Sequence, residues 1–403
     1  MEICNGLCCG CSACFSVCPV GAIRMEEDKK GFLAPVVDEG KCISCNKCKN
    51  ICPANKEHEN KLTIQHVYSA WTSDKLIRKN SSSGGAFSLL AAEVLEASDG
   101  NCVFGAGFDH DWKVVHKCIR HTNEISKLRG SKYVQSDMGN TLKEVKKELD
   151  AGHEVLFSGT PCQVAGLLSF LGREYSNLYT VDILCHGVPS PRVFEQYLND
   201  IKRKNSDKIT DIDFRYKRPS WSIFSMKISF SDHKAYIASK YKDPYLIGFL
   251  SDLYLRDCCH ECKYASGNRV GDITIADFWG YQSYQKESKN DQKGTSLIAV
   301  NTDKGKRLFE RIKTWGYLKE QTLDYAQRKN PGFYKPYTKN KYADLFWNDY
   351  SNNLEYDVLR EKYCMPVKAD FKEHLLRFIE SHGHLAPGWL ILFVKKFVPI
   401  DES

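Results

Sequence analysis

The sequence predicts a chain of mixed fold class, α+β followed by α/β. A small cysteine-rich α+β module comes first, a larger α/β domain follows, and the C-terminal region is helical. Three observations predict this order. Two copies of the spacing C-x2-C-x2-C-x3-C-P lie near the N-terminus, strands and helices alternate from residue 153, and the residues after 300 are polar with helical patterns. Alternating strands and helices are typical of a parallel sheet. We therefore expect domains at 1–58, 64–300 and 301–403.

The N-terminal module carries two runs of four cysteines, and a proline follows each run. The runs are Cys8, Cys11, Cys14 and Cys18, then Cys42, Cys45, Cys48 and Cys52. This is the bacterial ferredoxin pattern for two 4Fe–4S clusters, in which the fourth cysteine of each run ligates the other cluster. Cluster one should therefore take Cys8, Cys11, Cys14 and Cys52, and cluster two Cys42, Cys45, Cys48 and Cys18.

Zinc is the alternative for these cysteines, because it also accepts four thiolates, but it usually takes them from two separated C-x2-C pairs. Two complete runs, each with its proline, favour iron–sulfur. Cys4 and Cys9 fall outside the spacing, so we expect them to be free thiols.

The composition restricts the function classes. The 403 residues are 42% hydrophobic and 27% charged, which is ordinary for a soluble globular protein. The net charge of +7 is not gathered into a basic run with interleaved aromatics, so we expect no nucleic-acid binding. No signal peptide is recognised at the start, and without export the 18 cysteines indicate metal or redox chemistry in a reducing cytoplasm.

The first part of the larger domain is predicted to contain a strand at 67–71 and a helix at 87–95. The small residues of 81–86 precede that helix. Open backbone N–H groups at a helix N-terminus suit an anion, although an ordinary capped helix fits the pattern equally well. A hairpin is predicted at 101–108 and 113–118.

The next stretch is predicted to be α/β. A short buried strand at 153–157 leads through a Gly-containing turn to a helix at 164–171, and a second strand follows at 179–184. This order predicts a parallel pair of strands with ligands at their carboxyl ends. Cys162 and Cys185 both fall at those ends.

From residue 210 the sequence is rich in predicted strands, and a helical stretch leads to Cys258, Cys259 and Cys262. Predicted strands occupy 211–216, 222–230, 234–238, 272–276 and 297–300. The apolar stretch 389–398 is too short to span a bilayer, which needs roughly 20 apolar residues. A packed terminal helix is the favoured interpretation, and peripheral contact with a membrane surface is the alternative.

The part of the chain behind the cysteine runs carries a series of short motifs. They are Ser82-Ser83-Gly84-Gly85, Arg129-Gly130-Ser131-Lys132-Tyr133, Gly159-Thr160-Pro161-Cys162-Gln163, Cys185-His186-Gly187-Val188-Pro189-Ser190, Phe214-Arg215-Tyr216-Lys217 with Trp221, Cys259-x2-Cys262 and Gly271-Asp272-Ile273 to Gly280. With them the chain resembles the coenzyme F420 hydrogenase/dehydrogenase beta-subunit family over roughly residues 1 to 300. Ala276 departs from the glycine usual in that family.

The resemblance implies an FAD in the larger domain, with iron–sulfur clusters that feed it. Members reduce or oxidise coenzyme F420, whereas plant relatives such as 7-hydroxymethyl chlorophyll a reductase take electrons from ferredoxin and reduce another organic substrate. A diphosphate needs backbone N–H donors and cations. The predicted FAD residues are therefore Ser83, Gly84, Gly85, Arg129 and Lys132.

The resemblance also implies further site residues. His186, Arg215 and Lys217 are predicted to face the flavin or substrate, although a structural role for His186 stays open. A third 4Fe–4S cluster is predicted in the larger domain, with Cys162, Cys185, Cys259 and Cys262 as its ligands. Cys258 is the alternative to Cys259, which alone makes C-x2-C with Cys262.

Two functions follow as hypotheses. The first is an oxidoreductase that exchanges electrons with ferredoxin or another redox protein and acts on a small molecule, with coenzyme F420 as a candidate substrate. The second is an electron-transfer subunit without a substrate of its own, which serves a separate catalytic partner. The large α/β region favours the enzyme, because a carrier needs only the clusters, whereas flavin converts between one-electron and two-electron transfer.

Overall fold

The computed structural model describes residues 2–4, 7–56, 62–205, 207–281 and 292–366. The helices in these ranges are α1 (Ala13–Val17), α2 (Lys47–Ile51), α3 (Lys75–Asn80), α4 (Ala86–Ala97), α5 (Ile125–Leu128), α6 (Thr141–Asp150), α7 (Pro161–Leu171), α8 (Pro191–Lys204), α9 (Pro244–Leu250), α10 (Asp257–His260), α11 (Asp303–Arg311), α12 (Leu323–Gln327), α13 (Ala343–Ser351) and α14 (Tyr356–Tyr363).

The strands in the same ranges form one large sheet and three smaller ones. They are β1 (Ile23–Glu27), β2 (Leu33–Val37), β3 (Leu62–Thr63), β4 (His66–Thr72), β5 (Cys102–Phe108), β6 (Val114–Ile119), β7 (Val155–Gly159), β8 (Leu178–Ile183), β9 (Ile209–Tyr216), β10 (Ser225–Phe230), β11 (Ala235–Ser239), β12 (Asn268–Arg269), β13 (Ile273–Asp277), β14 (Ser296–Val300) and β15 (Trp315–Gln321).

The N-terminal module repeats one unit twice. Helices α1 and α2 each begin after a residue in the left-handed conformation, Ser12 with φ 59° and Asn46 with φ 56°. Each helix contains the third cysteine of its run, and the fourth cysteine follows at the C-cap, where the next proline favours extended backbone. The antiparallel hairpin β1–β2 completes the module.

The large sheet has the strand order β15-β4-β14-β13-β8-β7-β5-β6. Strands β5, β7, β8 and β13 run parallel at its centre, and the strands outside them are antiparallel to their neighbours. β7 is buried along most of its length, as expected for a central parallel strand covered on both faces. The predicted parallel pair of strands before Cys162 and Cys185 is therefore confirmed.

Helices cover both faces of the large sheet. One face packs against α4 and α11, and the other packs against α6 and α7, where the N-terminal module also lies. Helix α8 packs with α9, α14 and the antiparallel sheet β11-β10-β9 in a separate apolar core. The molecule is thus a ferredoxin-like domain followed by a larger mixed α/β domain.

Helix α7 begins at Pro161, three residues before the predicted start. Thr160 and Gln163 form a capping box, and Pro161 occupies the first helical position, where its missing N–H is not needed. The sequence pattern predicts a turn at Thr160 to Gln163, because the apolar residues of the helix begin only at Val164. Consequently Cys162 lies in the first turn of α7 and not at the end of β7.

The region after residue 300 differs from the prediction of a helical extension. Strand β15 joins the large sheet by pairing with β4, while α11–α14 supply the helices in the described part. Its side chains are mostly half-buried or exposed, so the stretch lacks the apolar pattern by which a strand is recognised. The stretch 389–398 lies outside the described residues. No helix in the described part of the chain is long and apolar enough to cross a bilayer.

The N-terminal module packs closely against α7. A Cβ atom added at Gly166 would lie 2.7 Å from the Cβ of Cys11, so the close approach of α7 requires glycine there. In the same module, Lys30 Nζ lies 2.7 Å from a carboxylate oxygen of Asp257 at the start of α10. Contacts with both α7 and α10 therefore hold the module against the larger domain.

Candidate functional site

The cysteines assigned to cluster two line one small cavity. Cys18, Cys42, Cys45 and Cys48 surround a volume of about 20 Å³ at the end of the β1–β2 hairpin. Cys18 comes from the first run and the other three from the second, which is the crossed arrangement expected of a two-cluster ferredoxin. The backbone N–H of Ala22 donates to Cys18 Sγ at 3.2 Å.

The cysteines assigned to cluster one lie deeper in the module. Cys14 and Cys52 are buried in one apolar cluster, and Cys8 packs against it. Cys4 lies in the same cluster, with its Sγ 3.4 Å from Cys52 Sγ and in hydrogen-bonding contact with Cys8. Burial raises the pKa of Cys14 to about 12. The structure thus places Cys4, which the spacing had left out, against two predicted ligands.

A second group of thiols lines a larger cavity between the N-terminal module and the α/β domain. Its volume is about 170 Å³, and six cysteines contribute to its wall: Cys9, Cys162, Cys185, Cys258, Cys259 and Cys262. A cavity of about 150 Å³ holds a benzene molecule, so there is room for a compact group of several atoms. We call this the six-thiol cavity.

Four different elements bring these thiols together. Cys162 lies in the first turn of α7 after β7, and Cys185 follows β8, so the parallel strands deliver both to one edge of the sheet. Cys258 and Cys259 lie on α10, and Cys262 follows that helix. Cys9 comes from the N-terminal module. The cavity is therefore built by the contact between the two parts of the chain.

Two of these thiols have polar partners at short range. Thr160 Oγ1 lies 3.1 Å from Cys162 Sγ, and the backbone N–H of Val188 donates to Cys259 Sγ at 3.4 Å. Hydrogen bonds to ligand sulfurs are one means by which proteins set the potential of iron–sulfur clusters. The partners are thus compatible with thiolate ligands at both positions.

Three thiols of the cavity, Cys162, Cys185 and Cys262, resist ionisation without a bound cation. Burial raises the pKa of Cys185 to about 12, and it also raises the pKa of Cys262. A hydrogen-bonding contact with Cys9, together with burial, raises the pKa of Cys162. A metal replaces these protons, because thiolates are the form that ligates. The donor set is therefore suited to a cationic iron–sulfur core.

The described residues offer no group of three or more His, Cys, Asp or Glu side chains arranged for a single metal ion. A mononuclear zinc site holds its ligands at about 2.0–2.3 Å from one centre. A cubane has four irons between its thiolates, so its ligands lie farther apart. The wide six-thiol cavity agrees with the second arrangement.

A buried ion pair holds the loop that carries Cys262. Arg269 Nη2 lies 3.2 Å from Asp182 Oδ1, and the side chains are 1% and 0% exposed. The same guanidinium donates to the carbonyl oxygens of Tyr264 at 3.3 Å and Ser266 at 3.4 Å. Because Asp182 belongs to β8, this network ties the Cys262 loop to the strand that precedes Cys185.

The two loops predicted to bind FAD lie side by side. The backbone N–H of Ser131 donates to Ser82 Oγ at 2.7 Å. Gly85, with φ +99°, is the N-cap of α4. Arg129 Nε donates to Ser88 Oγ at 2.9 Å, and its two terminal nitrogens have no hydrogen-bond partner among the described residues. Arg129 therefore keeps donors that a bound anion can use.

Other predicted FAD residues direct their polar groups to the protein itself. Ser83 Oγ donates to a backbone carbonyl at 2.7 Å, and the N–H of Gly84 donates to Ser296 Oγ at 2.9 Å. Lys132 Nζ donates to the carbonyl oxygens of residues 128–130 at 2.8, 3.0 and 3.2 Å. Burial lowers the pKa of Lys132 to about 7. In this structure these groups hold the loops in place.

Comparison with known families decides the affiliation. Residues 67–143 match the family model described as coenzyme F420 hydrogenase/dehydrogenase, beta subunit N-term, and residues 152–325 match the model for the C terminus of the same beta subunit. Together the two matches cover more than half of the chain. The chain belongs to the coenzyme F420 hydrogenase/dehydrogenase beta-subunit family. Residues 7–56 match the 4Fe-4S dicluster domain, which confirms the iron–sulfur prediction for the N-terminal module.

Similarity to solved structures is more distant. A structure of the F420-reducing [NiFe] hydrogenase complex from Methanosarcina barkeri, described as a xenon derivatization, contains a chain that is 17% identical. The alignment covers 76% of this chain and 93% of that chain, with a TM-score of 0.45. A search of curated proteins finds no match. The affiliation therefore rests on the family models.

In this member of the F420 beta-subunit family, Lys217 connects the predicted FAD loop to neighbouring segments. Its Nζ donates to the carbonyl oxygens of Arg78 and Ser83 at 2.7 Å and of Lys293 at 2.6 Å. Burial lowers the pKa of Lys217 to about 7. All three partners are backbone atoms, so Lys217 acts here as a link between loops.

Arg215 lies among aromatic rings beside the segment that the resemblance singled out at 277–280. Its Nη2 lies 3.1 Å from Asp277 Oδ2, and its guanidinium is 5.1 Å from the ring centroid of Trp279. Trp221 stacks on Trp279 at 4.7 Å and donates from Nε1 to Asp277 at 3.0 Å. Arg215 is buried, and its Nε makes no hydrogen bond with described residues, whereas its Nη2 is engaged in the ion pair with Asp277. The Nε donor is therefore available to an acceptor on a bound group.

His186 lies in the wall of the six-thiol cavity and is separate from Lys217 and Arg215. Its Nε2 lies 2.7 Å from Asp252 Oδ1, and its ring centroid is 3.8 Å from that of Tyr337. Phe249 contacts the His186 ring at 4.9 Å and stacks on Tyr133 at 4.4 Å. The Tyr133 hydroxyl in turn accepts from the Arg215 guanidinium at 3.5 Å. Packed rings thus connect the cavity with the surroundings of Arg215.

Sequence patterns do not predict Cys9, Gln135 or Arg256 at this site, and they give Cys258 only as the alternative to Cys259. Cys9 and Cys258 line the six-thiol cavity, although their spacing excluded the first and disfavoured the second. Gln135 Nε2 donates to the carbonyl oxygen of Cys9 at 2.9 Å, and Arg256 Nη1 donates to Gln135 at 2.7 Å. The sequence signal that could have indicated Cys9 is its position next to Cys8. A cysteine adjacent to a predicted cluster ligand must lie near that cluster.

Proposed function

We propose that the chain is an iron–sulfur flavoprotein oxidoreductase that exchanges electrons with ferredoxin or another redox protein and acts on a small organic molecule, with coenzyme F420 as the first candidate. The observation that carries the proposal is the six-thiol cavity, which lies where the ferredoxin-like module meets the α/β domain. A carrier with two clusters needs no further thiol site. A third redox site in this position supports transfer between the module and a substrate domain.

The proposed ligands of the third cluster are Cys162, Cys185, Cys259 and Cys262. The hydrogen bond from Val188 to Cys259 supports Cys259, and contact between Cys258 and Cys259 keeps Cys258 as the alternative. Iron–sulfur clusters, when bound, move single electrons. The protein brings four thiols together, buries them and directs backbone N–H groups toward them.

The proposed FAD lies in the region of Arg129, Gly85 and Arg215. FAD, when bound, converts between one-electron and two-electron transfer. The terminal nitrogens of Arg129 and the unbonded Nε of Arg215 support an acceptor group there, and the α4 N-terminus at Gly85 adds open N–H groups. Ser83, Gly84, Lys132 and Lys217 contribute by holding these loops.

A second candidate function is an electron-transfer subunit without its own substrate. The observation that favours it is that Ser83, Lys132 and Lys217 are engaged with the protein's backbone, so fewer groups face a flavin diphosphate than the sequence predicts. The two candidates share the three clusters and differ in flavin content. Flavin content is therefore the deciding measurement.

Anaerobic purification followed by iron, sulfide and flavin analysis tests the proposal. We expect about 12 iron atoms per chain, as three cubanes require, and about one extractable FAD. The replacement Cys162→Ser should remove about four irons, whereas Cys364→Ser, a buried thiol in another apolar core, should leave the content unchanged.

Absence of FAD from protein with full iron content would reject the flavoenzyme and support the carrier. Where FAD is present, a panel of acceptors with reduced ferredoxin or viologen as donor identifies the substrate class. F420 that stays unreduced while another acceptor reacts would exclude F420 as substrate.

A further inference from the structure

Arg256 lies between the two proposed cluster sites and reaches into the N-terminal module. It directly precedes α10, which carries Cys258 and Cys259. Its Nε donates to the carbonyl oxygen of Cys8 at 2.6 Å, and its Nη2 donates to that of Leu33 at 3.0 Å. One side chain thus contacts the backbone of a cluster-one cysteine while its own backbone leads into the helix of the six-thiol cavity.

The charge of Arg256 is buried without a carboxylate partner. The residue is 5% exposed, and the described residues place no carboxylate within ion-pairing distance of it. Its hydrogen-bond acceptors are two carbonyl oxygens and the neutral Oε1 of Gln135. Burial of an ion is unfavourable unless a counter-charge compensates it. The position therefore calls for an anion nearby.

Three thiols belong to the electrostatic surroundings of this guanidinium, those of Cys8, Cys9 and Cys258. The Asp28 carboxylate also acts on it, but Asp28 is exposed and accepts from the backbone N–H groups of the next turn. Cys8 belongs to the cluster-one set, whereas Cys9 and Cys258 line the six-thiol cavity. The missing counter-charge is thus supplied when thiolate-ligated clusters occupy both sites.

We propose that Arg256 is the counter-charge shared by cluster one and the third cluster, and that it raises the reduction potentials of both. A cubane with four thiolates is an anion, and reduction adds one more negative charge. A fixed buried cation stabilises that added charge, and charge and hydrogen bonding near the cluster are among the factors that set its potential. The third-cluster half of this inference rests on the proposed function; the cluster-one half does not.

Cluster two provides an internal reference. Strand β2 runs from Leu33, which Arg256 contacts, to Val37, which lines the cavity of cluster two. At about 3.3 Å per residue, these two positions are about 13 Å apart along the strand. Cys45 is exposed as well, so solvent and salt screen that site from a distant charge. Its potential should not depend on Arg256.

A redox titration of the full anaerobic protein, followed by EPR, tests the proposal once the iron content is known. We expect Arg256→Met to lower the potentials of cluster one and the third cluster by about 59 mV, which is a tenfold change in the reduced-to-oxidised ratio for one electron. Cluster two should not change. Arg256→Lys keeps the positive charge, so the potentials of cluster one and the third cluster should stay close to their wild-type values. Cys14→Ser and Cys162→Ser identify which signals belong to which cluster.

A matched control separates charge from docking. Arg192→Met breaks an exposed ion pair with Glu27 across the same interface and should leave all potentials unchanged. Should Arg256→Met lose iron, Arg256→Gln is titrated in its place with the same expectation. Three results would overturn the role of Arg256. They are unchanged potentials in the neutral variant, equal shifts of the potentials of all three clusters, and equal shifts in Arg256→Lys and Arg256→Met.

The iron count keeps this result distinct from the proposed function. An iron content of about eight atoms per chain would show that the third cluster is absent, and it would reject that part of the proposed function. A downward shift of cluster one in Arg256→Met would then still support the counter-charge at cluster one, and no shift there would reject it.

Discussion

Replacement of Arg269 by methionine should destabilise the protein strongly. Methionine has a long, unbranched apolar side chain, but it leaves the Asp182 carboxylate without its cation in a position with no exposed surface. Asp182 would keep only the Thr274 hydroxyl at 2.5 Å and two backbone N–H groups at 3.2 Å. Removal of one partner from a buried ion pair costs about 3–5 kcal/mol, because the remaining charge is uncompensated.

The expected loss is large compared with the total stability of a typical domain, about 5–15 kcal/mol. Urea unfolding of the anaerobic protein, followed by far-UV circular dichroism, should show a lower midpoint with an unchanged slope. The carbonyl groups of Tyr264 and Ser266 would also lose their donor. Because these residues follow Cys262, we expect the iron of the third site to be released more readily than that of the N-terminal module.

The control is Arg307→Met on the exposed side of α11, which should stay within about 0.5 kcal/mol of the wild type. The double variant Asp182→Asn with Arg269→Met removes both charges and should be less destabilised than the sum of the two single variants. The explanation by an uncompensated buried charge is wrong if the free energy of unfolding of Arg269→Met lies within about 1 kcal/mol of the wild-type value. It is also wrong if the destabilisation of the double variant equals the sum for the two single variants.

Two further predictions concern Asp243 and Gly84. Burial raises the pKa of Asp243 to about 6, above its ordinary 3.8, so its contribution to the free energy of unfolding is complete below about pH 4 and lost as the pH rises through 6. Asp243→Asn should remove this slope from the free energy of unfolding measured between about pH 4 and 6, and an unchanged slope would refute the assignment. Gly84→Ala places a Cβ 2.8 Å from Ser296 N and nearer still to a carbonyl of β4, so we expect a loss of about 1–3 kcal/mol, against no loss for Gly40→Ala. Equal stability of the two alanine variants would contradict this packing.

Much of the fold could be predicted because local rules agree with the tertiary structure. The hairpin β5–β6 and the parallel pair β7–β8 follow from short apolar runs bounded by turn residues. The grouping of Cys18 with the cysteines of the second run around one cavity could be predicted from the spacing. These features depend on residues close together in the sequence.

Other features depend on contacts between distant residues. Cys9 was excluded by its spacing, yet docking of the module on α7 turns it toward Cys162. Lys132 is predicted to bind the diphosphate because it is a cation in a loop, and the resemblance predicts that Lys217 faces the flavin or substrate. Burial and nearby carbonyl groups instead determine what the two side chains bind in the structure. Neither effect is visible in a single sequence, because it arises from which elements pack together.

Helix α7 has a consequence for how the distance between cluster one and the proposed third cluster is maintained. Cys162 on this helix faces the six-thiol cavity, and Gly166, four residues later, contacts Cys11 of cluster one. Residues four apart lie on one side of a helix and are separated by about 6 Å along its axis. The spacing is therefore fixed by one turn of regular backbone. Insertions or deletions in the connecting loops can accumulate during evolution without altering it, whereas a side chain larger than glycine at 166 would push the two sites apart.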